Sequence, residues 1–339
     1  MPLYRKIAVI YGSDSSEWEV SRQSGEFTAS RIDDNRYDVY EIFARFGSWR
    51  LVAMRKAGSM RVAFPEGAQP EVDKSDFSVT VLGEKTKFDF AYIMQHGTPG
   101  ETGQMQGYLE LLGVPFSTCS AFVTTVAFDK YSCKSYLRDS GIVRLAPDAL
   151  IRKGDEVEPF CTRAVAALGL PLFVKPTGGG SSFGITKVEK AEDLPSAVRF
   201  AFTEGDTVLV EKAIPCEHEL TCAVFTDEGG VRALPVIEII SDTGWFDYDA
   251  KYNGSSQEIC PARIPDSLAS EVQEVSRRIY SYMGCKGLVR MDYISTAEGL
   301  YFLEINVIPG MTSASLVPKM VRAAGMDITS FLTAVIENS

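Results

Sequence analysis

Between Lys286 and Pro318 apolar and polar positions alternate in two runs, GLVRMDYI and LYFLEINV, joined by STAEG. Period-two alternation around a Gly-containing link predicts a β-hairpin. Strand side chains point to alternate faces, so Leu288, Arg290 and Asp292 should share one face, and Phe302, Glu304 and Asn306 another. If these faces coincide, Asp292, Glu304 and Asn306 stand together with Arg290 beside them. That set reads either as an all-oxygen cation site of the kind Mg²⁺ prefers, or as a solvated hairpin face. The apolar flanks Leu303, Ile305 and Val307 leave an interposed Asn in need of partners.

Elsewhere the pattern predicts an α/β chain. KIAVIY (6–11) and FDFAYIMQ (88–95) are continuous apolar runs, as in strands of a parallel sheet covered on both faces. Ser16 and Glu19 fit a capping box, so a helix is expected from about Glu17, with Val20 and Phe27 turned inward. QMQGYLELL predicts a helix stopping at Gly113, followed by a short strand over Val114 to Ser117. Another helix should run from Asp129-Lys130 to Gly141. LPLFVKP and ITKVEK read as strands around TGGGSSFG, and DTVLVE and LTCAVF as further strands. Residues 245–264 show little helical or strand period; a loop this long in a compact enzyme suggests a lid. Leu268, Val272, Val275 and Ile279 fall at helical spacing between Asp266 and Met283, with Gly284 as the stop.

Several corners carry candidate chemistry. In KPTGGGSS the lysine, Lys175, precedes the glycines and a strand follows them, so this is no Walker A loop. Glycine backbone N–H groups, the hydroxyls of Ser181 and Ser182 and the Lys175 charge nevertheless suit phosphate better than an idle hairpin tip. Glu17 at a helix mouth is accounted for by the helix dipole alone. His96, one of two histidines, precedes the Gly-rich GTPGETG, which suggests close approach of a substrate; structural hydrogen bonding is the commoner role for such a residue. Glu211, ending its strand, suits either a nucleoside contact or a solvated edge. The missing G-x-G-x-x-G argues against a dinucleotide enzyme.

Composition narrows the picture. The chain has 339 residues, room for two or three domains, and its net charge of −11 argues against a general nucleic-acid binder. Seven scattered cysteines without a C-x-x-C pair read as reduced thiols of a cytoplasmic protein. No apolar run is long enough to span a bilayer.

SSEWEVS (15–21), HGTPGETG (96–103), the Lys130 helix, KPTGGGSSFG (175–184), DYDAKY (247–252), RMD (290–292) and LEINVIPGMTSASL (303–316) occur in this order. Together they make the chain resemble the D-alanine–D-alanine ligases of the ATP-grasp superfamily over nearly its whole length. The resemblance implies a three-domain ATP-grasp fold. Its parts would be an N-terminal Rossmann-like α/β domain (1–118), a central subdomain (119–212) and a C-terminal subdomain (213–339) carrying the lid, with ATP gripped between the last two. It implies phosphate-binding Lys130, Lys175 and Lys251, helped by Ser182, and nucleoside contacts from Glu211 and Glu219. Asp292, Glu304 and Asn306 would hold two Mg²⁺ ions, with Mn²⁺ an allowed substitute. Glu17 would orient the first D-alanine, with Ser181 and Tyr252 as its partners in holding the lid closed. Arg290 and the Gly310 N–H would form the oxyanion site. His96, Lys251, Ser315 and Leu316 would line the substrate pocket, Ser315 against the second carboxylate. The implied reaction is ATP-dependent formation of D-alanyl-D-alanine through an acyl phosphate, for peptidoglycan precursors. No nucleic-acid or membrane partner is implied, and the resemblance leaves room for a homodimer. D-serine or D-lactate as acceptor, and a nucleotide-binding pseudoenzyme, are the alternatives; the retained Asp292, Glu304, Asn306 and Arg290 argue against the last. Trp18, Thr102 and Val307 depart from the family's usual His or Arg, Asp and Thr.

Overall fold

The computed structural model describes residues 5–179, 184–241 and 256–339. Its first sheet is built around Lys6–Tyr11, whose residues 7–11 are all buried, as expected of an apolar strand with neighbours on both sides. That strand runs parallel to Asp38–Arg45 and to Phe90–Ile93; Ser48–Arg55 and Val62–Ala63 extend the sheet antiparallel. Val114 to Ser117 contributes only an isolated parallel bridge, Phe116 with Ala91.

The first helix, Trp18–Arg31, begins after Glu17, but the expected capping box does not form: Glu17 is the N-cap and makes no side-chain cap bond. Instead Ser15 Oγ takes the Glu17 N–H at 3.2 Å and donates to the His96 carbonyl at 3.0 Å, tying this corner to the neighbouring loop. Nor do Val20 and Phe27 form the buried face. Ser21, Ser24, Gly25, Thr28 and Ala29 do, because the helix lies so close to Tyr11 that a Cβ on Gly25 would come within 2.3 Å of the ring. Small residues set that distance.

A four-stranded antiparallel sheet orders Asp148–Arg152, Thr207–Lys212, Leu172–Pro176 and Thr186–Val188. With helices Val157–Leu168 and Leu194–Ala201 it encloses its own core, including Ile151, Leu172, Val174, Leu194, Val198 and Val210. The third large sheet orders Ser256–Ile259, Ile237–Ser241, His218–Asp227, Val289–Thr296, Gly299–Asn306 and Arg144–Leu145, with Gly230–Ala233 also on His218–Asp227. Helix Asp266–Met283 covers it, burying Val272, Val275 and Ile279 and ending at left-handed Gly284 as the periodicity predicts. The first and third sheets share one continuous core. Gly287, with φ +62°, brings the hairpin against the first unit: a Cβ there would lie 1.9 Å from the Ser117 carbonyl oxygen.

Two further expectations change. The helix opened by Asp129-Lys130 ends at Leu137, short of Gly141, and a separate helix, Ala121–Phe128, precedes it. Asp129 caps the second helix, its carboxylate accepting from the Ser132 N–H at 2.7 Å. Of the 245–264 loop, Ser256–Ile259 is a strand antiparallel to Ile237–Ser241, so ladder pairing overrides its weak period; residues 245–255 lie outside the described residues. Among the described residues no helix is long and apolar enough to cross a membrane.

Candidate active site

The hairpin strands are Val289–Thr296 and Gly299–Asn306. Their register sets Arg290 opposite Asn306 and Asp292 opposite Glu304, so the two polar faces coincide. Phe302 is the exception. The register slips between Asp292 and Tyr293, leaving Leu303 as an extra residue and pairing Phe302 with Tyr293 on the core side. The buried positions 300, 302 and 305 record that slip as a broken alternation. The bulge therefore parts Phe302 from the face that Glu304 and Asn306 present.

This face opens on a cleft of about 390 Å³. Arg290, Glu304 and Asn306 form one wall, with Gly310, Ser315 and Leu316 continuing it. Glu17 and His96 line the opposite side from the first unit, and Lys130 the end nearest Gly179. Nine of the residues singled out from the sequence thus meet in one cavity. Lys130 Nζ donates to the Gly179 carbonyl at 3.0 Å and lies 3.7 Å from Glu304. Ser315 Oγ accepts the Thr312 N–H at 3.0 Å. It caps this loop, and no side-chain cap bond joins it to helix Leu316–Ala323, which starts there.

Asp292 stands behind Arg290. Its carboxylate accepts Arg290 Nε at 2.9 Å and Nη2 at 2.8 Å, and Thr221 Oγ1 at 2.5 Å. Burial would lower the Arg290 pKa, but Asp292 outweighs it and raises it, so the guanidinium is permanently charged. Burial lowers that of His96 although Glu17 opposes the change, so the imidazole is favoured neutral; its Nε2 lies 3.1 Å from Ser24 Oγ. Lys175 and Glu211 meet away from this cavity as an ion pair on the four-stranded sheet. Glu219 lies on His218–Asp227 between Ile239 and Ile294. Ser181, Ser182, Lys251 and Tyr252 lie outside the described residues.

Two acids not singled out from the sequence also line the cleft. Glu101 is buried and accepts the Gly97 N–H at 2.7 Å; burial, then the nearby Glu17 charge, push its pKa up to about 8. Its place in GTPGETG was visible, but its burial was not. Glu258, on Ser256–Ile259, pairs with Lys319. The departures are each accommodated: Trp18 stacks under the Arg45 guanidinium at 4.5 Å, Thr102 bonds Gln104 at 2.6 Å, and Val307 is buried in the cleft wall.

The donor set fits a hard divalent ion. Asp292 and Glu304 supply carboxylates and Asn306 an amide oxygen, with no thiol or imidazole. A carboxylate has about four acceptor sites, and the three donors on Asp292 leave about one. Among the described residues no three His, Cys, Asp or Glu side chains form a metal cluster, so phosphate and water would have to complete the shell.

Known proteins resemble this chain over nearly its whole length. Residues 6–119 match the family described as D-ala D-ala ligase N-terminus, and 137–337 that described as D-ala D-ala ligase C-terminus. The D-alanine–D-alanine ligase of Phocaeicola vulgatus is 44% identical over 335 residues, 98% of this chain and 99% of that one. Among solved structures, the VanG D-Ala:D-Ser ligase from Enterococcus faecalis aligns with TM-score 0.85 at 30% identity, covering 98% of each chain. The D-alanine–D-alanine ligase from Bacillus anthracis complexed with ATP aligns at 0.75 and 27%, covering 98% of this chain and 97% of that one. Sheets and cleft together are those of an ATP-dependent ligase with the ATP-grasp fold. Within that class, the chain belongs to the D-alanine–D-alanine ligase family.

Proposed function

We propose that this chain joins two D-alanines to D-alanyl-D-alanine through an acyl phosphate, consuming ATP and supplying a peptidoglycan precursor. The observation that carries the reading is the hairpin register, which aligns Arg290 with Asn306 and Asp292 with Glu304 beside a cleft that Glu17 enters from another unit. Glu17 would hold the first D-alanine by its ammonium, with His96 close behind. The carboxylate of that D-alanine takes the γ-phosphoryl group. Lys130 and Lys175, with Lys251 and the hydroxyls of Ser181 and Ser182, would neutralise the phosphates, while Glu211 and Glu219 hold the nucleoside. Ser315 and the Leu316 N–H, at a helix start, would receive the second carboxylate. The amine of the second D-alanine then attacks the acyl carbon, and Arg290 with the Gly310 N–H stabilises the resulting oxyanion. The adduct collapses to the amide as the acyl–oxygen bond to phosphate breaks and phosphate leaves. Tyr252, with Ser181, would close the site against water, which would otherwise hydrolyse the acyl phosphate. Asp292, Glu304 and Asn306 would hold Mg²⁺, which when bound neutralises charge on the transferred phosphoryl group.

Three functional units fit this scheme: 1–118, 119–212 and 213–339. The separate core of the four-stranded sheet supports a central unit able to move against the others. A cytoplasmic setting fits the seven cysteines, all free thiols. The test is product analysis with ATP, Mg²⁺ and D-alanine, alone and with competing D-serine or D-lactate near neutral pH. D-Alanyl-D-alanine should dominate each mixture. A dominant mixed dipeptide or ester would reassign the acceptor, and absence of ADP with every acceptor would leave a nucleotide-binding pseudoenzyme.

A further inference from the structure

A lysine outside the cleft organises the charges behind Lys175. The Lys134 side chain is only 2% exposed. Its Nζ donates to the Ala146 carbonyl at 2.8 Å, lies 2.7 Å from Asp148, and pairs with one oxygen of Glu211. The other oxygen of Glu211 pairs with Lys175. Asp148 also accepts from Arg138 Nη2, 3.1 Å from each of its oxygens. The acids are brought together by register: Asp148 faces Glu211 across one strand pair, and Glu211 faces Phe173, two residues before Lys175, across the next. Lys134 arrives from a different element. It lies one turn beyond Lys130 on helix Lys130–Leu137, so one helix delivers Lys130 to the cleft and Lys134 into the sheet.

Burying ion pairs gains little stability over apolar packing, because desolvation offsets the attraction. Stability alone therefore gives weak reason for this cluster. Its charge balance gives a better one. Lys134, Lys175 and Arg138 face two carboxylates, so one positive charge is left over. Arg138 is 44% exposed and screened by solvent, and Lys134 is sealed. Lys175, 12% exposed, is the sheltered cation with an opening.

We propose that Lys134 is a positioning residue for the nucleotide: it shares and orients the Glu211 carboxylate, so that the Lys175 ammonium keeps net positive charge for a phosphate group. This rests on Lys175 being a phosphate ligand. Without Lys134, Lys175 alone would neutralise Glu211 and its pull on phosphate would weaken. Burial would raise the Glu211 pKa, but Lys175 and Lys134 together lower it, in keeping with a carboxylate held ionised between two cations.

The experiment is steady-state kinetics of the full chain with ATP, Mg²⁺ and D-alanine, below the melting temperature of each variant. Lys134→Met should raise KM for ATP about tenfold, ~1.4 kcal/mol, and leave the KM values for D-alanine within about twofold. Asp148→Asn disturbs the same buried cluster, but removes an acid that competes for Lys134. Its KM for ATP should stay at or below that of the parent. A purely structural cluster would respond alike to both changes, so equal rises in KM for ATP overturn the proposal, as does an unmoved KM in Lys134→Met. Lys175→Met separates the two readings: no rise in its KM for ATP removes the phosphate assignment itself, whatever Lys134 does. Should Lys134→Met not fold, ADP binding to Asp148→Asn by calorimetry decides, with unweakened binding supporting the role and tenfold loss refuting it.

Discussion

At the scale of single residues, Glu101 shows how position in the fold alters ordinary chemistry. A carboxyl sealed beside Glu17 keeps its proton to about pH 8. Its pKa is higher in the folded chain than in the unfolded one, so the native state binds the proton more tightly between those values. The resulting stabilisation is complete below the unfolded pKa and is lost as pH rises through about 8. We expect the melting temperature to fall from mildly acidic to mildly alkaline pH, a loss on the order of a few kcal/mol. Glu101→Gln, which can still accept the Gly97 N–H, should flatten that fall. Melting curves across pH check it; parallel profiles for the two proteins would show that Glu101 does not carry the proton.

At the scale of elements, the first helix places Glu17 by lying close to its sheet. Gly25 permits the contact, since a Cβ would sit within 2.4 Å of the Tyr11 Cβ, Cγ and Cδ1 atoms. Tyr11 cannot easily yield, because its hydroxyl donates to Glu41 at 3.0 Å, and Glu41 in turn is held by Arg61. Gly25→Ala should therefore cost about 1–3 kcal/mol, the usual penalty for overpacking. Pushing the helix outward also moves Glu17, so KM for D-alanine should rise more than KM for ATP. Chemical denaturation paired with kinetics tests both parts; a stable variant with unchanged KM values would mean that the helix tolerates the shift.

At the scale of the whole molecule, a small core in the four-stranded sheet stands beside the larger core joining the other two sheets. A nucleotide held by Lys175 on one and by the hairpin on the other would link them, stabilising the native state by mass action. ADP with Mg²⁺ should raise the melting temperature, and chelating the metal should remove most of that rise. In Glu304→Gln the Mg²⁺-dependent part should shrink, with the protein otherwise folded. Scanning calorimetry of the four combinations gives the answer, and a shift indifferent to both chelation and Glu304 would place the metal elsewhere.

Local pattern alone determined the strand Lys6–Tyr11, a strand within the run 88–95, helix Asp266–Met283 with its stop at Gly284, and the hairpin itself, while the observed register decided that its polar faces meet. Those features depend on side-chain period and end signals, which neighbouring residues carry. Motif order was likewise enough to indicate the family. Only the tertiary structure decided the bulge that turns Phe302 away from Glu304, the small-residue face of the first helix, and the strand Ser256–Ile259. It also decided which charges are sealed: nothing beside Glu101 or Lys134 in the chain announces burial, since their partners Glu17, Asp148 and Glu211 come from distant segments. The reason is physical. Desolvation and ion pairing depend on what the packed chain brings within a few ångströms, whereas periodicity depends on what the next few residues are.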